Sequence, residues 1–393
     1  MRAALLGLLL LSNLVLATEL TEWAAVERAL QQPDIAAQLD AHRALARSKV
    51  ERAGRWDNPQ VEYARETLDT PNGNNEETLY LVRQRINLAG VKGLERRAAH
   101  LALDADEARL ELNKRDIIGD VRQLFYQALA SAEQYQTLAL WHQRLTELTR
   151  DVSARTAAGD ASRYDQARLE RELALLTGEL LSARSAYASA RDHLAVLTGT
   201  ETTALVGDLL PPAAASVITP ALIEKHPSLR ALSAQAESAD AEQKAARRSR
   251  WPEVTLGVGQ RDLVDSGMKA DGHVVSVTLD IPLFDRAQGD ISEAAQRSRL
   301  LRAEHALEEH HLLAEARRIQ RDWSAQREAA LALQPDEARS LIPMAEAAFK
   351  AGEINVMELI DAYRTEIAGR QERISRSLAA RHAYIQWQTL TGE

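Results

Sequence analysis

Ala157-Ala158-Gly159-Asp160 and, 193 residues further on, Lys350-Ala351-Gly352-Glu353 are the stretches that decide the reading of this chain. Each is a glycine break in an otherwise helical run. Each is followed by a second helical run that closes on the same triplet, Leu197-Thr198-Gly199 in one case and Leu390-Thr391-Gly392 in the other. Both glycines and both Thr-Gly pairs keep the offset of 193. Upstream, Trp56 to Val61 (WDNPQV) recurs as Trp251-Pro252-Glu253-Val254 with two residues deleted. Ile86-Asn87-Leu88 matches Ile281-Pro282-Leu283, and Gln31 to Pro33 matches the surroundings of His226-Pro227. This many matches in one order mean an internal tandem repeat.

Each half reads as helix, strand hairpin, very long helix, tight turn and returning helix. In the first repeat, 18–199, the hairpin covers 60–88, the long helix 90–157, the turn 159 and the return 162–197. In the second, 221–393, the hairpin covers 253–284, the long helix 286–349, the turn 352 and the return 355–390. Residues 200–220, with Pro211, Pro212 and Pro220, link the halves. Leu169, Leu173, Leu176, Leu180, Ala183, Tyr187, Ala190, Leu194 and Leu197 alternate spacings of four and three. Ile117, Val121, Leu124, Ala128, Ser131, Tyr135, Leu138, His142 and Leu145 do the same on the preceding helix. Sustained periodicity of about 3.5 residues predicts helices packed side by side as a coiled coil.

The strands alternate. In 273–283, Val275, Val277, Leu279, Ile281 and Leu283 share one face, and Ser276, Thr278 and Asp280 the other. Its partner sets Val254, Leu256 and Val258 against Thr255, Gly257 and Gly259. In the first hairpin, Tyr80, Val82 and Ile86 face away from Leu79, Leu81, Arg83 and Arg85. Segments of about ten residues with one apolar face suit tilted transmembrane strands. The polar tips between them, 69–76 and 262–272, suit exposed loops. Four strands cannot close a barrel, and open edges are not tolerated in lipid, so several copies must pool their strands.

Residues 1–17 read as a secretory leader, with Arg2, a short apolar stretch from Ala3 to Leu11, and Ala17 as a cleavage residue. No other run approaches the length of a membrane-spanning helix. The sequence contains no cysteine, which removes disulfides, thiol chemistry and a lipidated cysteine. Formal charge is −9, and aromatics are only 4% of residues, a poor composition for nucleic-acid binding.

Over essentially the whole mature chain, the sequence resembles the TolC family of outer-membrane efflux channels, and within it the heavy-metal branch that includes CzcC and CusC. The most specific carriers are the turns, Arg155-(x)3-Gly159-(x)2-Ser162-(x)2-Asp165 and Phe349 to Ala362 (FKAGEINVMELIDA). The resemblance implies an α+β membrane protein. A trimer would share a transmembrane β-barrel, four strands per chain, continuous with a periplasmic α-helical coiled-coil barrel. It further implies an RND-type tripartite efflux system, in which an inner-membrane pump and a periplasmic membrane-fusion adaptor hand over substrate, here divalent heavy-metal cations. Adaptor docking falls on the turns, at Arg155, Gly159, Ser162, Lys350, Gly352 and Glu353. Acidic residues beyond the turns, Glu358, Asp361 and the matching Asp165, are candidates for the closed aperture. Arg155, Lys350 and Arg364 are near enough in sequence to pair with them within or between subunits. Small organic toxicants are the alternative cargo, and a soluble periplasmic coiled-coil scaffold with covered hairpins is the alternative protein.

No nucleophile–base arrangement and no phosphate-binding loop appears in the sequence, so the reading is a conduit without cofactor and not an enzyme. Among the ten histidines, Glu308-Glu309-His310-His311 contains the Glu-x-x-His half-motif of di-iron bundles, but its second copy is missing, so no metal site is expected. His142 sits on a seam position and is read as a satisfied interface residue.

Overall fold

The computed structural model describes residues 19–53, 55–71, 73–200, 204–214, 218–265, 268–334 and 341–392. The expected leader at 1–17 lies outside the described residues, as do parts of both hairpin tips and of the link between repeats.

The chain runs β1 (Glu19–Thr21), α1 (Glu22–Gln31), α2 (Pro33–Ala53), β2 (Gln60–Thr70), β3 (Gly73–Ile86), α3 (Val91–Ala158) and α4 (Arg163–Thr198). It continues with β4 (Ala204–Val206), a 3-10 turn (Pro220–Leu222), α5 (Pro227–Arg248), β5 (Glu253–Asp265) and β6 (Met268–Asp280). It ends with α6 (Gln288–Ala332), α7 (Leu341–Ala351) and α8 (Val356–Thr391). The described residues form two compact units, one drawn from 19–37, 114–220 and 313–392, the other from 38–113 and 221–312. Each unit therefore draws on both repeats.

In the first unit, the predicted seams are the packing faces. Val121, Ala128, Leu138 and Leu145 of α3 are buried, as are Leu169, Leu176, Ala183, Ala190 and Leu194 of α4. Tyr135 stacks on Tyr187 with ring centroids 6.2 Å apart. His142 Nε2 lies 3.1 Å from Thr177 Oγ1, which satisfies it within the seam. Packing of such interdigitated apolar side chains, rather than helix propensity, is what stabilises long helices.

Two expected boundaries are corrected. The helix expected over 286–349 ends at Ala332, and a separate α7 begins at Leu341. Pro335 has no N–H to continue the ladder and disfavours helical backbone at Gln334. Pro343 is tolerated because it falls in the first turn of α7. Likewise β6 stops at Asp280, so Ile281 and Leu283 lie past the strand, where Pro282 cannot donate to a ladder. The link between the repeats is also not plain coil: β4 pairs in parallel with β1, Glu19 opposite Ala204 through Thr21 opposite Val206.

In the second unit, four antiparallel strands form one sheet in the order β2-β3-β5-β6. The central pairing joins the two repeats, with Val82 opposite Val258 and Leu81 opposite Gly259. Registry carries one apolar row across all four strands, Val61, Val82, Val258 and Val275. β2 and β6 are both edges.

Candidate functional site

The two turns are built alike. Gly159 (φ 88°) and Gly352 (φ 77°) adopt the left-handed backbone that ends α3 and α7. The Gly159 N–H donates to Thr156 O at 3.1 Å and the Asp160 N–H to Arg155 O at 2.8 Å. Gly352 donates to Phe349 O at 3.1 Å and Glu353 to Ala348 O at 2.9 Å. Both are Schellman endings, which place glycine where a side chain would be strained. The return helices then start on matched caps. Ser162 Oγ accepts the Asp165 N–H at 3.1 Å. Asn355 Oδ1 accepts from Met357 and Glu358, and the Glu358 carboxylate accepts the Asn355 N–H at 2.9 Å, closing a capping box.

Asp165 and Glu358 thus occupy the same position three residues into α4 and α8, where a carboxylate also complements the positive end of the helix. Asp361 lies one turn further along α8 and is exposed. Within one chain, no ion pair among the described residues joins Arg155, Lys350 or Arg364 to these three carboxylates, although the charge of Asp361 acts on Arg364. Arg364 is forked onto Glu172 of α4, Nε to Oε1 at 2.7 Å and Nη2 to Oε2 at 2.5 Å. That bidentate bond holds the Arg364 guanidinium above its usual pKa. Arg155 lies over the Phe349 ring, 5.8 Å from its centroid, and so ties one turn to the other by a cation–π contact. Lys350 makes no ion pair among the described residues.

Beneath the turns, Leu138, Trp141, Leu145, Val152, Leu169 and Leu176 pack against Ile342, Leu359, Ile360 and Tyr363. Trp141 meets Tyr363 edge-on at 5.5 Å. The Tyr363 hydroxyl donates to Glu346 Oε1 at 2.5 Å, and burial, reinforced by that bond, pushes its pKa up. The tips of α3–α4 and α7–α8 are therefore one packed assembly.

Sequence reasoning missed the fastening of the inter-repeat link. Arg381 of α8 is 6% exposed. Its guanidinium donates to Leu209 O at 3.2 Å, to Leu210 O at 2.9 Å and to Asp208 O, and lies 4.4 Å over the Tyr126 ring. Trp323 Nε1 donates to Pro212 O at 3.1 Å and Arg327 Nε to Pro211 O at 3.0 Å. Pro211-Pro212 was the only signal: carbonyls without neighbouring N–H groups leave acceptors for side chains.

The sheet has two chemically distinct faces. On one, Val61 (79% exposed), Tyr63, Tyr80, Val82, Val258, Val275 (77% exposed) and Val277 stand free. The other carries charged pairs, glycines and Leu81. No helix among the described residues is long and apolar enough to cross a membrane. No group of His, Asp or Glu among the described residues could hold a metal ion. Glu308 of the half-motif instead accepts a bond from Ser228 Oγ at 2.9 Å, fixing the start of α5.

Residues 219–393 match the outer membrane efflux protein family. The chain is 25% identical over 297 residues to the cobalt-zinc-cadmium resistance protein CzcC of Cupriavidus metallidurans, covering 72% of this chain and 70% of that one. It is 26% identical over 272 residues to the nickel and cobalt resistance protein CnrC of the same organism, covering 62% of this chain but only 59% of that one. Its fold matches the crystal structure of the Campylobacter jejuni CmeC outer membrane channel with a TM-score of 0.78 at 14% identity, covering 94% of this chain and 85% of that one. The sequence similarity to the outer membrane efflux protein family thus lies in residues 219–393, and the fold similarity to the CmeC channel extends over 94% of the chain.

Proposed function

We propose that this chain is the outer-membrane duct of a tripartite efflux system. The observation that carries the reading is the sheet: four strands, one face of exposed valines and tyrosines, and two unpaired edges. Such a sheet is stable in lipid only when closed by strands of other copies. Three copies would give a twelve-stranded barrel. The exposed apolar row also argues against a soluble scaffold with covered hairpins.

The turns at Gly159 and Gly352, presenting Arg155, Ser162, Lys350 and Glu353 beside them, are the docking end for a periplasmic membrane-fusion adaptor, and an inner-membrane RND pump supplies cargo through it. Divalent heavy-metal cations are the proposed cargo. Two relatives named for cobalt, zinc, cadmium and nickel resistance support this choice, and so does the acidic set Asp165, Glu358 and Asp361 at the aperture. Arg364 is forked onto Glu172, and Asp361 is near enough to act on it through its charge. The chain acts as a conduit, with no catalytic step of its own.

Conductance of the purified protein in planar bilayers tests this reading. Discrete channels blocked by a trivalent cation are expected, with the block weakened in Glu358→Ala/Asp361→Ala. Protein that extracts without detergent and forms no channels would overturn the duct. Channels whose block is unchanged by the double substitution would remove these carboxylates from the aperture. For cargo, a strain lacking the chain should lose tolerance to cobalt, zinc or cadmium; sensitivity to organic toxicants alone would refute the metal assignment.

A further inference from the structure

At its foot, the end away from the hairpin tips, the sheet has a chemistry of its own. β2 begins at Gln60, β3 ends at Ile86, β5 begins at Glu253 and β6 ends at Asp280. Just outside each of these ends stands one large apolar side chain open to solvent: Trp56 is 72% exposed, Leu88 73%, Trp251 69% and Phe284 94%. Pro59, Pro252 and Pro282 separate the three aromatics from their strands, so the alternation of the ladder does not continue through them. Each aromatic has an arginine within two residues, Arg55, Arg250 and Arg286. Side chains tie the feet of the strands together. Gln84 Nε2 donates to Asp57 O at 3.0 Å, Arg248 Nη1 to Ala89 O at 3.3 Å and Arg250 Nε to Arg286 O at 3.1 Å. The level is basic in a chain of net charge −9. Residues 51–59, 87–92, 247–252 and 281–290 hold seven basic side chains against four acidic ones. Counting Glu253, Asp280 and Arg85 at the strand ends as well leaves the excess positive. Asp57 is taken by Lys92 at 3.6 Å, and Asp285 accepts the Ala287 N–H at 2.9 Å. Arg250 and Arg286 make no ion pair among the described residues.

We infer that this belt binds the headgroups of anionic phospholipids in the leaflet on the helical side, with Arg55, Arg250 and Arg286 on the phosphates. The inference rests on the duct reading, in which the valine face meets lipid. Directly above the foot, that face is carried by Val254 beside Leu279, Leu256 beside Val277 and Val258 beside Val275. The belt residues stand two to four positions beyond the strand ends. At about 3.3 Å per residue, that carries them from the hydrocarbon into the headgroup layer. Rings this exposed gain nothing from water, whereas tryptophan at a membrane interface keeps its apolar body in lipid and its polar edge wet. Guanidinium forks match phosphate oxygens, and each basic group near an anionic surface strengthens attraction about fivefold. When the sheet closes through other copies, β6 meets the next β2. Phe284 and Arg286 then come beside another Trp56 and Arg55, and the belt is unbroken.

Fluorescence quenching in vesicles is the test. The full chain is reconstituted into mixed phosphatidylcholine and phosphatidylglycerol, with one lipid or the other brominated near the headgroup end of its acyl chains. The emission lost in Trp56→Phe/Trp251→Phe is the signal of these two rings. Its quenching should give phosphatidylglycerol an association at least about threefold that of phosphatidylcholine. Arg55→Gln/Arg250→Gln/Arg286→Gln should bring the ratio to about one, and the three lysine replacements should keep part of it. Added salt should lower the parent ratio, which tests the inference even where the glutamine variant does not assemble. Inorganic phosphate at constant ionic strength should leave the ratio unchanged; its collapse would mean that the arginines hold the free ion and not the lipid. A parent ratio near one, or a ratio unmoved by the glutamines or by salt, overturns the inference. A separate reporter, Val277→Trp in the chain lacking both rings, reads the valine face. Quenched by lipid brominated at mid-chain, it upholds the duct reading even where the belt fails; unquenched, it overturns the duct reading and the belt with it.

Discussion

Replacing Arg381 by methionine removes a charged fork from three carbonyls while keeping most of the side-chain volume. In the structure, the guanidinium donates to Asp208, Leu209 and Leu210 and covers Tyr126. Asp208 is exposed, so water replaces the lost donor there. Leu209 is buried and Leu210 half-buried, and their carbonyls lose a partner with little water to take its place. Two under-satisfied acceptors at about 1–2 kcal/mol each, with about 1 kcal/mol for the ring contact, give about 3–5 kcal/mol. Lysine keeps the charge but not the planar fork, so Arg381→Lys should fall between. Hydrogen exchange of the peptide spanning 204–214 reads this locally, because opening of the link exposes its amides without requiring the membrane segment to unfold. At about 1.4 kcal/mol per decade, protection should drop by about two to three and a half decades in the methionine variant. A drop below about fivefold would show that Arg381 is incidental to the link and that Trp323 and Arg327 hold it.

Val277→Lys should impair assembly far more than Thr278→Lys, by about 2–4 kcal/mol per copy near the bilayer midplane, measured as the yield of detergent-stable oligomer; equal tolerance would mean the lipid face is misassigned. Asn355→Ala removes the capping box and should cost about 1 kcal/mol, seen as several-fold faster exchange in the first turn of α8, with Ser162→Ala weaker because its cap is not reciprocal. His382 is half-buried with Nε2 unpartnered, and burial lowers its pKa. Protonation thus favours the open chain: its contribution is present above the ordinary imidazole range, about 6.5, and is lost as pH falls below it. His382→Gln should flatten the fall in thermal stability between pH 7 and pH 5, and an unchanged slope would refute this.

Sequence alone determined the tandem repeat, the coiled-coil seams, the two glycine turns and the alternating strands. Each is a local or periodic property: a seam residue must be apolar every 3.5 residues, and a Schellman turn needs glycine whatever lies around it. Leu169, Leu176 and Ala183 are buried for that reason, and Gly159 and Gly352 have matching φ. The break in the second long helix was also written in the sequence, as Pro335, but the strength of the flanking helical pattern concealed it. Partner choice was not legible. Arg364 has acidic residues near it in sequence, yet the packing of α8 on α4 brings Glu172 to it, 192 residues away. The carbonyls of 208–212 draw Arg381, Trp323 and Arg327 because the link is folded against α6 and α8, which no period records. The same holds for the units. The repeats divide the chain at residues 200–220, but the sheet can complete its ladder only by pairing β3 of one repeat with β5 of the other, so each compact unit takes part of both. Periodicity specifies which face of an element is buried; only tertiary packing, which brings together groups far apart along the chain, decides what that face meets.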